Sequence, residues 1–285
     1  MNVVIWAIGV VIILGGVVIA GIHMYVANSK PLIEGEVIVS ILDDNVEVTR
    51  DDIGVPHITA KSEADLYRAQ GYVQAQDRLF QMDLARRQAS GTLAEVVGAS
   101  AVETDKYFRT FSLRKAAELS WEGYDADSKK ILEWFAEGVN AFIDEVSDTS
   151  KLSYEFKLLG YKPSPWIPID SLTIGKYMAY DLGGNWNQQA FRSFALQNFT
   201  EQQAKELFVE YPENAKSIIE ANLNLETNIA SAFTTDYLPS EFNGSNNWVI
   251  GGALTESGKP LLADDPHLGL SSPSVWYQMH LQSPE

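Results

Sequence analysis

The sequence predicts an α+β fold in which a mostly helical region precedes the beginning of a sheet. Three observations support this. Apolar residues recur at helical spacing over residues 128–146, 168–180 and 188–209. Short apolar runs at 248–250, 260–263 and 275–281 are separated by turn residues, as strands are. Hydrophobic residues make up 46% of the chain, which excludes a disordered protein.

The chain begins with an uncharged, strongly apolar stretch in which no Asp, Glu, Lys or Arg precedes Lys30. At 1.5 Å per residue such a stretch can cross a hydrocarbon core of about 30 Å. A cleavable signal peptide has a basic start and a small-x-small cleavage site, and this chain has neither. We therefore expect an uncleaved transmembrane anchor over residues 1–29, with a buried core helix as the alternative. Too few Lys and Arg flank it to predict its orientation.

Residues 30–209 form the predominantly helical region. After a linker at 31–35, residues 36–41 and 46–49 alternate at period two around Asp43-Asp44-Asn45, which predicts a hairpin. Ser62 followed by Asp65 has the spacing of a capping box and predicts a helix through about residue 74. A second helix is expected over 76–88.

The charge balance limits the possible partners. Thirty-eight acidic residues against 21 basic ones give a net charge of −17, which disfavours nucleic acid and anionic lipid surfaces as partners of the globular part. The chain has no cysteine, so its composition gives no positive evidence of an oxidising compartment.

Ser245 is the main catalytic candidate because it follows Asn243-Gly244 and precedes a strand-like apolar run. Scission of the Gly244–Ser245 bond would give Ser245 a free α-amine beside its hydroxyl. An α-amine titrates at about 7.7–8.0, so one residue would supply both a nucleophile and a base. The alternative is an ordinary turn, since Asn-Gly is a strong hairpin signal and Asn243 also begins a glycosylation sequon.

Several blocks of the sequence carry a family pattern. They read Arg-Asp-Asp-Ile-Gly-Val-Pro-His-Ile-Thr-Ala from residue 50, Ala-Gln-Gly-Tyr-Val-Gln-Ala-Gln-Asp-Arg from residue 69, Ser-Gly-Thr-Leu-Ala-Glu-Val-Val-Gly from residue 90, Glu-Phe-Lys-Leu-Leu-Gly-Tyr-Lys-Pro-Ser-Pro-Trp from residue 155, and Ser-Asn-Asn-Trp-Val-Ile-Gly-Gly from residue 245. Together they resemble the penicillin acylase (penicillin amidase) family of N-terminal-nucleophile hydrolases. The resemblance extends over most of residues 48–283.

The resemblance implies a precursor organisation. Residues 30–209 would correspond to an α-subunit, 210–244 to a spacer peptide, and 245–285 to the truncated start of a β-subunit and of an αββα sandwich. Processing would give an α/β heterodimer. The catalytic region would lie outside the cytoplasm, at the extracellular face or in the periplasm, held by the membrane anchor. The family's oxyanion-hole residues lie downstream of this stretch, so we expect little turnover from the 285 residues alone.

His267 is the second candidate catalytic residue. It lies 22 positions after Ser245, where the resemblance implies a residue that orients the nucleophile. The alternatives are a hydrogen-bonded turn residue, or a metal ligand together with Asp264 and Asp265. His57, in Val-Pro-His-Ile, has the character of a structural residue.

The resemblance also implies an apolar acyl pocket lined by Met178 and Leu182, although ordinary core packing explains these residues equally well. Some family members bind calcium through an acidic residue shortly after this segment. Residues 185–189 contain none, so no metal ligand is assigned and calcium is at most possible.

Two classes of function therefore remain open. The first is an amide hydrolase precursor that cleaves itself between Gly244 and Ser245 and acts on N-acyl amides of the β-lactam or acyl-homoserine lactone type. The second is a non-catalytic, membrane-tethered remnant or binding domain.

Overall fold

The computed structural model describes residues 2–27, 29–183, 186–207 and 244–284. Over these residues the chain has a mixed helical and sheet fold. It divides into two compact units, Met1–Lys176 together with Pro273–Glu285, and Tyr177–Ser272. The α-helices are α1 Asn2–Ala27, α2 Glu63–Ser90, α3 Ala94–Val97, α4 Val102–Phe111, α5 Leu113–Gly123, α6 Ala126–Val146, α7 Tyr154–Leu159, α8 Pro168–Leu182, α9 Trp186–Asn198 and α10 Glu201–Leu207. The strands are β1 Glu47–Arg50, β2 Pro56–Thr59, β3 Gly244–Ile250, β4 Leu261–His267 and β5 His280–Gln282.

Helix α1 forms where the apolar stretch predicts a helix, but the membrane prediction is not confirmed. Within the described residues, no helix combines the length and apolar character that a membrane crossing needs. On that part of the chain, the predicted transmembrane helix over 1–29 and the membrane-anchored localisation are wrong.

Helix α2 is continuous from Glu63 to Ser90, whereas the sequence analysis predicts two helices here. The hydroxyl of Ser62 accepts the backbone N–H of Asp65 at 3.2 Å, which confirms the predicted helix start. The Asp65 carboxylate accepts the backbone N–H groups of Asp43 and Asp44 at 3.0 and 3.1 Å. The first turn of α2 therefore also fixes the loop that leads into β1.

Helices α2 and α6 cross where each carries a glycine. A Cβ atom on Gly71 would lie within 3.0 Å of the Phe135 carbonyl group, and one on Gly138 within 3.0 Å of the Arg68 carbonyl group. Real Cβ atoms essentially never come so close to other heavy atoms. The two backbones therefore approach to a distance that only glycine permits.

Beside this crossing lies the larger apolar core of the first unit. Its buried side chains come from α2, α6, α7 and the segments next to them, and are Ala75, Leu79, Met82, Ala136, Val139, Ile143, Val146, Leu152, Phe156 and Trp166. The side-chain amide of Asn140 ties α6 to the segment before α8. Asn140 donates to the Trp166 carbonyl at 2.8 Å and accepts the Trp166 N–H at 2.7 Å.

Strands β1, β2 and β5 form one sheet in that order, with β2 antiparallel to β1 and parallel to β5. The predicted hairpin of residues 36–41 with 46–49 is wrong, because β1 pairs with β2 instead. The turn between β1 and β2 is held by the Asp51 carboxylate, which accepts the N–H groups of Ile53 and Val55 at 3.0 and 2.9 Å. The hydrogen bond from Val55 is the largest cause that lowers the pKa of Asp51.

A buried ionic cluster joins α2 to the start of α8. Arg86 contacts Asp83 at 2.6 Å and Asp170 at 3.0 Å, and Arg114 contacts Asp170 at 2.7 Å. Asp83, Arg86 and Asp170 are at most 6% exposed, so little water competes for these contacts. Loss of one partner would leave a buried charge uncompensated, so these contacts fix the position of the first turn of α8.

The second unit contains α9, α10, β3 and β4. The single helix predicted over 188–209 is divided at Phe199 and Thr200, and the Thr200 hydroxyl accepts the Gln203 N–H at 3.3 Å at the start of α10. The predicted spacer, 210–244, lies outside the described residues except for Gly244. In this unit the described strands, β3 and β4, form a two-stranded sheet. The αββα sandwich stays a prediction.

Candidate functional site

The predicted scission site lies at the first residues of β3. Strand β3 pairs with β4 in antiparallel register, so that Gly244 is opposite His267 and Ser245 is opposite Pro266. Pro266 has no N–H and cannot donate a ladder hydrogen bond opposite Ser245. The strand pair therefore brings together Gly244, Ser245 and His267, three residues that the sequence analysis singles out.

The Ser245 hydroxyl contacts the carbonyl group that it is predicted to attack. Its Oγ donates a hydrogen bond to the Gly244 carbonyl oxygen at 2.7 Å. Ser245 is exposed and Gly244 is half-buried, so water can reach the peptide bond between them. The hydrogen bond places this nucleophilic oxygen next to the carbonyl group whose carbon an intramolecular acyl shift would attack.

The imidazole of His267 lies on the other face of the sheet from the Ser245 hydroxyl. Side chains alternate along a strand, and directly opposed residues share a face. Gly244 and His267 therefore share one face, while Ser245 and Pro266 share the other. His267 Nε2 lies 2.8 Å from the Asp265 carboxylate, two residues away on its own face. Asp265 thus orients the side chain of His267, while the backbone of His267 lies opposite Gly244.

Two polar residues share the face of Ser245, and the sequence analysis assigns no catalytic role to either. Asn247 is two residues further along β3, and Asp264 is directly opposite Asn247 on β4. Period-two alternation in 244–250 and 261–267 is the signal that finds them. To place Asp264 on the same face as Ser245, one must also know the register of β4 against β3, and the sequence does not supply that register.

The same alternation bears on the metal alternative. Asp264 lies on the face opposite to Asp265 and His267, so these three side chains do not converge on one point. Within the described ranges, no cluster of three or more His, Cys, Asp or Glu side chains could hold a metal ion. The calcium site implied by the resemblance stays a prediction.

His57 lies on β2, in the first unit. Its Nδ1 is 3.3 Å from Nδ1 of His280 on β5, and its Nε2 is 3.8 Å from the Asp51 carboxylate. The first contact joins the paired strands β2 and β5, and the second joins β2 to the turn that precedes it.

The predicted acyl-binding residues, Met178 and Leu182, lie one turn apart on α8 and therefore share one helix face. Met178 is half-buried and Leu182 is 39% exposed, so this face offers apolar surface that neighbouring residues do not fully cover. Asp181 lies beside them, and burial raises its pKa. No contact described in the structure assigns Met178 and Leu182 to an acyl pocket, and that role stays a prediction.

Comparison with known proteins identifies the family. The sequence model of the penicillin amidase family matches residues 45–285, almost the whole globular part. The chain therefore belongs to the penicillin amidase family, whose members are N-terminal-nucleophile hydrolases.

Individual relatives agree with this assignment. The chain is 35% identical over 267 residues to penicillin acylase 2 proenzyme of a Pseudomonas species, covering 88% of this chain and 34% of that protein. It is 32% identical over 271 residues to acyl-homoserine lactone acylase QuiP of Pseudomonas aeruginosa, covering 91% of this chain and 32% of that protein. A solved structure of thermostable penicillin G acylase from Alcaligenes faecalis matches with a TM-score of 0.51 and 31% identity, covering 63% of this chain and 98% of that one. The chain thus spans about a third of the length of these two curated relatives.

Proposed function

We propose that this chain is the N-terminal part of an amide hydrolase precursor that cleaves itself between Gly244 and Ser245. The main structural support for this proposal is the 2.7 Å hydrogen bond from the Ser245 hydroxyl to the Gly244 carbonyl oxygen. Membership of the penicillin amidase family supports it, and two relatives are named as acylases. The non-catalytic alternative has no comparable support.

The proposed scission has two steps. Ser245 Oγ attacks the Gly244 carbonyl carbon and loses its proton. The Gly244–Ser245 C–N bond then breaks, and the Ser245 nitrogen takes up a proton. This leaves an ester between the Gly244 carboxyl group and Oγ. Water hydrolyses the ester and releases the Gly244 carboxylate, the Ser245 hydroxyl and a free α-amine.

In the mature enzyme, Ser245 would act on an external amide. Its Oγ attacks the substrate carbonyl while the α-amine accepts the hydroxyl proton through one water. The leaving amine takes up that proton, and an acyl ester remains on Oγ. Water then releases the acid and regenerates Ser245. His267 would hold the strand end beside Ser245 through its backbone, because its imidazole lies on the opposite face.

The proposed substrates are N-acyl amides of the β-lactam or acyl-homoserine lactone type. The names of the relatives suggest these two classes of compound. The apolar face of α8 that carries Met178 and Leu182 is the proposed contact for the acyl chain. The two products of the scission would remain associated as a heterodimer.

The test is intact mass and N-terminal sequencing of the protein expressed from its complete reading frame. We expect a new N-terminus at Ser245, and its loss in Ser245→Ala. Ser257→Ala, in the turn between β3 and β4, is the matched control and should leave scission unchanged. Ser245→Cys should retain scission, because a thiol is also a nucleophile. An unbroken chain in the unsubstituted protein would refute the self-cleavage.

A further inference from the structure

The last described segment of the chain, residues 273–284, lies far from the early residues in sequence but belongs to the same compact unit as residues 1–176. We call it the docking segment. Scission before Ser245 would place the docking segment and most of that unit in different products. Noncovalent contacts would then have to hold the two products together.

The polar part of the contact centres on Asp77 of α2. The Tyr277 hydroxyl donates a hydrogen bond to the Asp77 carboxylate, which also binds the Arg50 guanidinium at 2.7 and 3.2 Å. The side chains of Arg50 and Asp77 are only 15% and 14% exposed. Burial, and then the Asp77 carboxylate, raise the pKa of Tyr277, so that its hydroxyl remains a donor at neutral pH. The three residues form one water-poor anchor.

A second set of contacts lies beside this anchor. The Arg78 guanidinium lies 5.5 Å from the centroid of the Tyr277 ring, within the range of a cation–π contact. The Gln81 side-chain amide donates to the Ser274 carbonyl at 3.0 Å. One face of α2 therefore holds the docking segment at two positions, Ser274 and Tyr277.

The end of the docking segment extends the sheet and the core. Strand β5 pairs with β2, and the Ala60 N–H donates to the Gln282 carbonyl at 3.0 Å. Met279 and Leu281 pack against a buried cluster formed by Ile58, Ala60, Leu66, Ala69, Tyr72 and Val73. The segment thus makes backbone, apolar and charge-assisted contacts with one surface.

We propose that this surface, formed by β2 and α2, is the site at which the product beginning at Ser245 remains bound after scission, with Tyr277 on Asp77 as its anchor. The proposal rests on the proposed self-cleavage, which creates the two products. It goes beyond the heterodimer by naming the contacts that hold it.

The experiment separates retention from self-cleavage. Ser245→Ala blocks self-cleavage in the chain, and a recognition sequence for a site-specific protease is inserted between Asn228 and Ile229. After protease treatment, native mass spectrometry and size-exclusion chromatography measure whether the two pieces stay together, and dilution gives their dissociation constant. We expect the pieces to remain associated.

Three variants test the named contacts. Tyr277→Phe removes one hydrogen bond to a charged group and should weaken association by about 10- to 100-fold. Leu281→Asp places a charge in the apolar contact and should release the C-terminal piece. Tyr154→Phe, at an exposed residue of α7, is the matched control and should change nothing.

Pieces that separate as soon as the chain is cut would overturn the proposal. So would equal retention in Tyr277→Phe, Leu281→Asp and the control. If the protease-cut pieces stay together but the unsubstituted protein never cleaves itself, the docking surface stands and the self-cleavage fails.

Discussion

The crossing of α2 and α6 allows a sharp test of the packing, the substitution Gly71→Ala. The added methyl group would lie within 3.0 Å of the Phe135 carbonyl group. The obstructing atoms belong to the backbone, so the strain is relieved only if the two helices move apart. Overpacking of this kind costs about 1–3 kcal/mol, and we expect the upper end. The higher helix propensity of alanine offsets up to about 1 kcal/mol of this loss of stability. The net loss of unfolding free energy should be about 2 kcal/mol.

The assay is urea unfolding followed by circular dichroism, in the uncut chain that carries Ser245→Ala. For a slope of about 3 kcal/mol per M, the expected loss moves the midpoint down by about 0.7 M. Gly175→Ala is the matched control, since it is also a helical glycine but no heavy atom lies within 4 Å of its added Cβ. It should leave the midpoint unchanged or raise it.

A second variant checks that the crossing itself is responsible. Gly138→Ala should cost about as much as Gly71→Ala, because its methyl group meets the Arg68 carbonyl group. The double variant should cost less than the sum of the two, since one separation of the helices relieves both overlaps. Equal urea midpoints for Gly71→Ala and Gly175→Ala would show that the two helices do not need glycine at their crossing.

Three further predictions follow from the contacts of the first unit. Arg86→Met leaves two buried carboxylates, Asp83 and Asp170, without a shared partner and should cost about 3–5 kcal/mol in urea unfolding. Lys106→Met, which removes an exposed pair with Glu103, should have no measurable effect, and equal losses in the two variants would contradict the argument. Asn140→Ala removes both hydrogen bonds to the Trp166 backbone and should cost about 2 kcal/mol, whereas an unchanged midpoint would show that these bonds are replaced by water. Burial alone would raise the pKa of Glu145, but hydrogen bonds from Tyr72 and Lys151 outweigh it and lower the pKa below 4.5. Its stabilising contribution is therefore present above pH 4.5 and is lost as the pH falls through the lowered pKa, so Glu145→Gln should flatten the acid side of a stability profile between pH 6 and 3.

Local signals predicted where some helices lie, but not that α2 is continuous or that α9 and α10 are separate. The amphipathic pattern over 128–146 corresponds to α6, and the start at Ser62 is confirmed, because both depend on residues a few positions apart. The same kind of signal failed at 36–41. There, β1 pairs with β2 through the turn that Asp51 holds, and the Asp65 carboxylate binds the loop before β1. Asp65 is more than 20 residues from that loop, too far for a local sequence pattern to include it.

The candidate site was predictable in part. Ser245 and Gly244 are adjacent in sequence, so the nearness of hydroxyl and carbonyl was predictable, whereas the 2.7 Å hydrogen bond depends on the rotamer of Ser245. The register with His267 does not, since it depends on how residues 261–267 return along 244–250. The alternation that separates the imidazole from the hydroxyl appeared only once that register was known. The roles of Met178 and Leu182 stay predictions.

The pairing of β2 with β5 also affects the order in which the chain folds. His57 and His280 are partners across 223 residues of sequence. Closing a loop of that length costs roughly 5 kcal/mol of chain entropy. At about 5–20 residues per second, a ribosome needs roughly 10–45 s to synthesise that stretch. Throughout that interval the β5 side of β2 is an open sheet edge, the kind of surface that pairs with other chains. The nascent protein is therefore exposed to aggregation at this edge until β5 is synthesised, and a chaperone that covers the edge during synthesis would raise its yield.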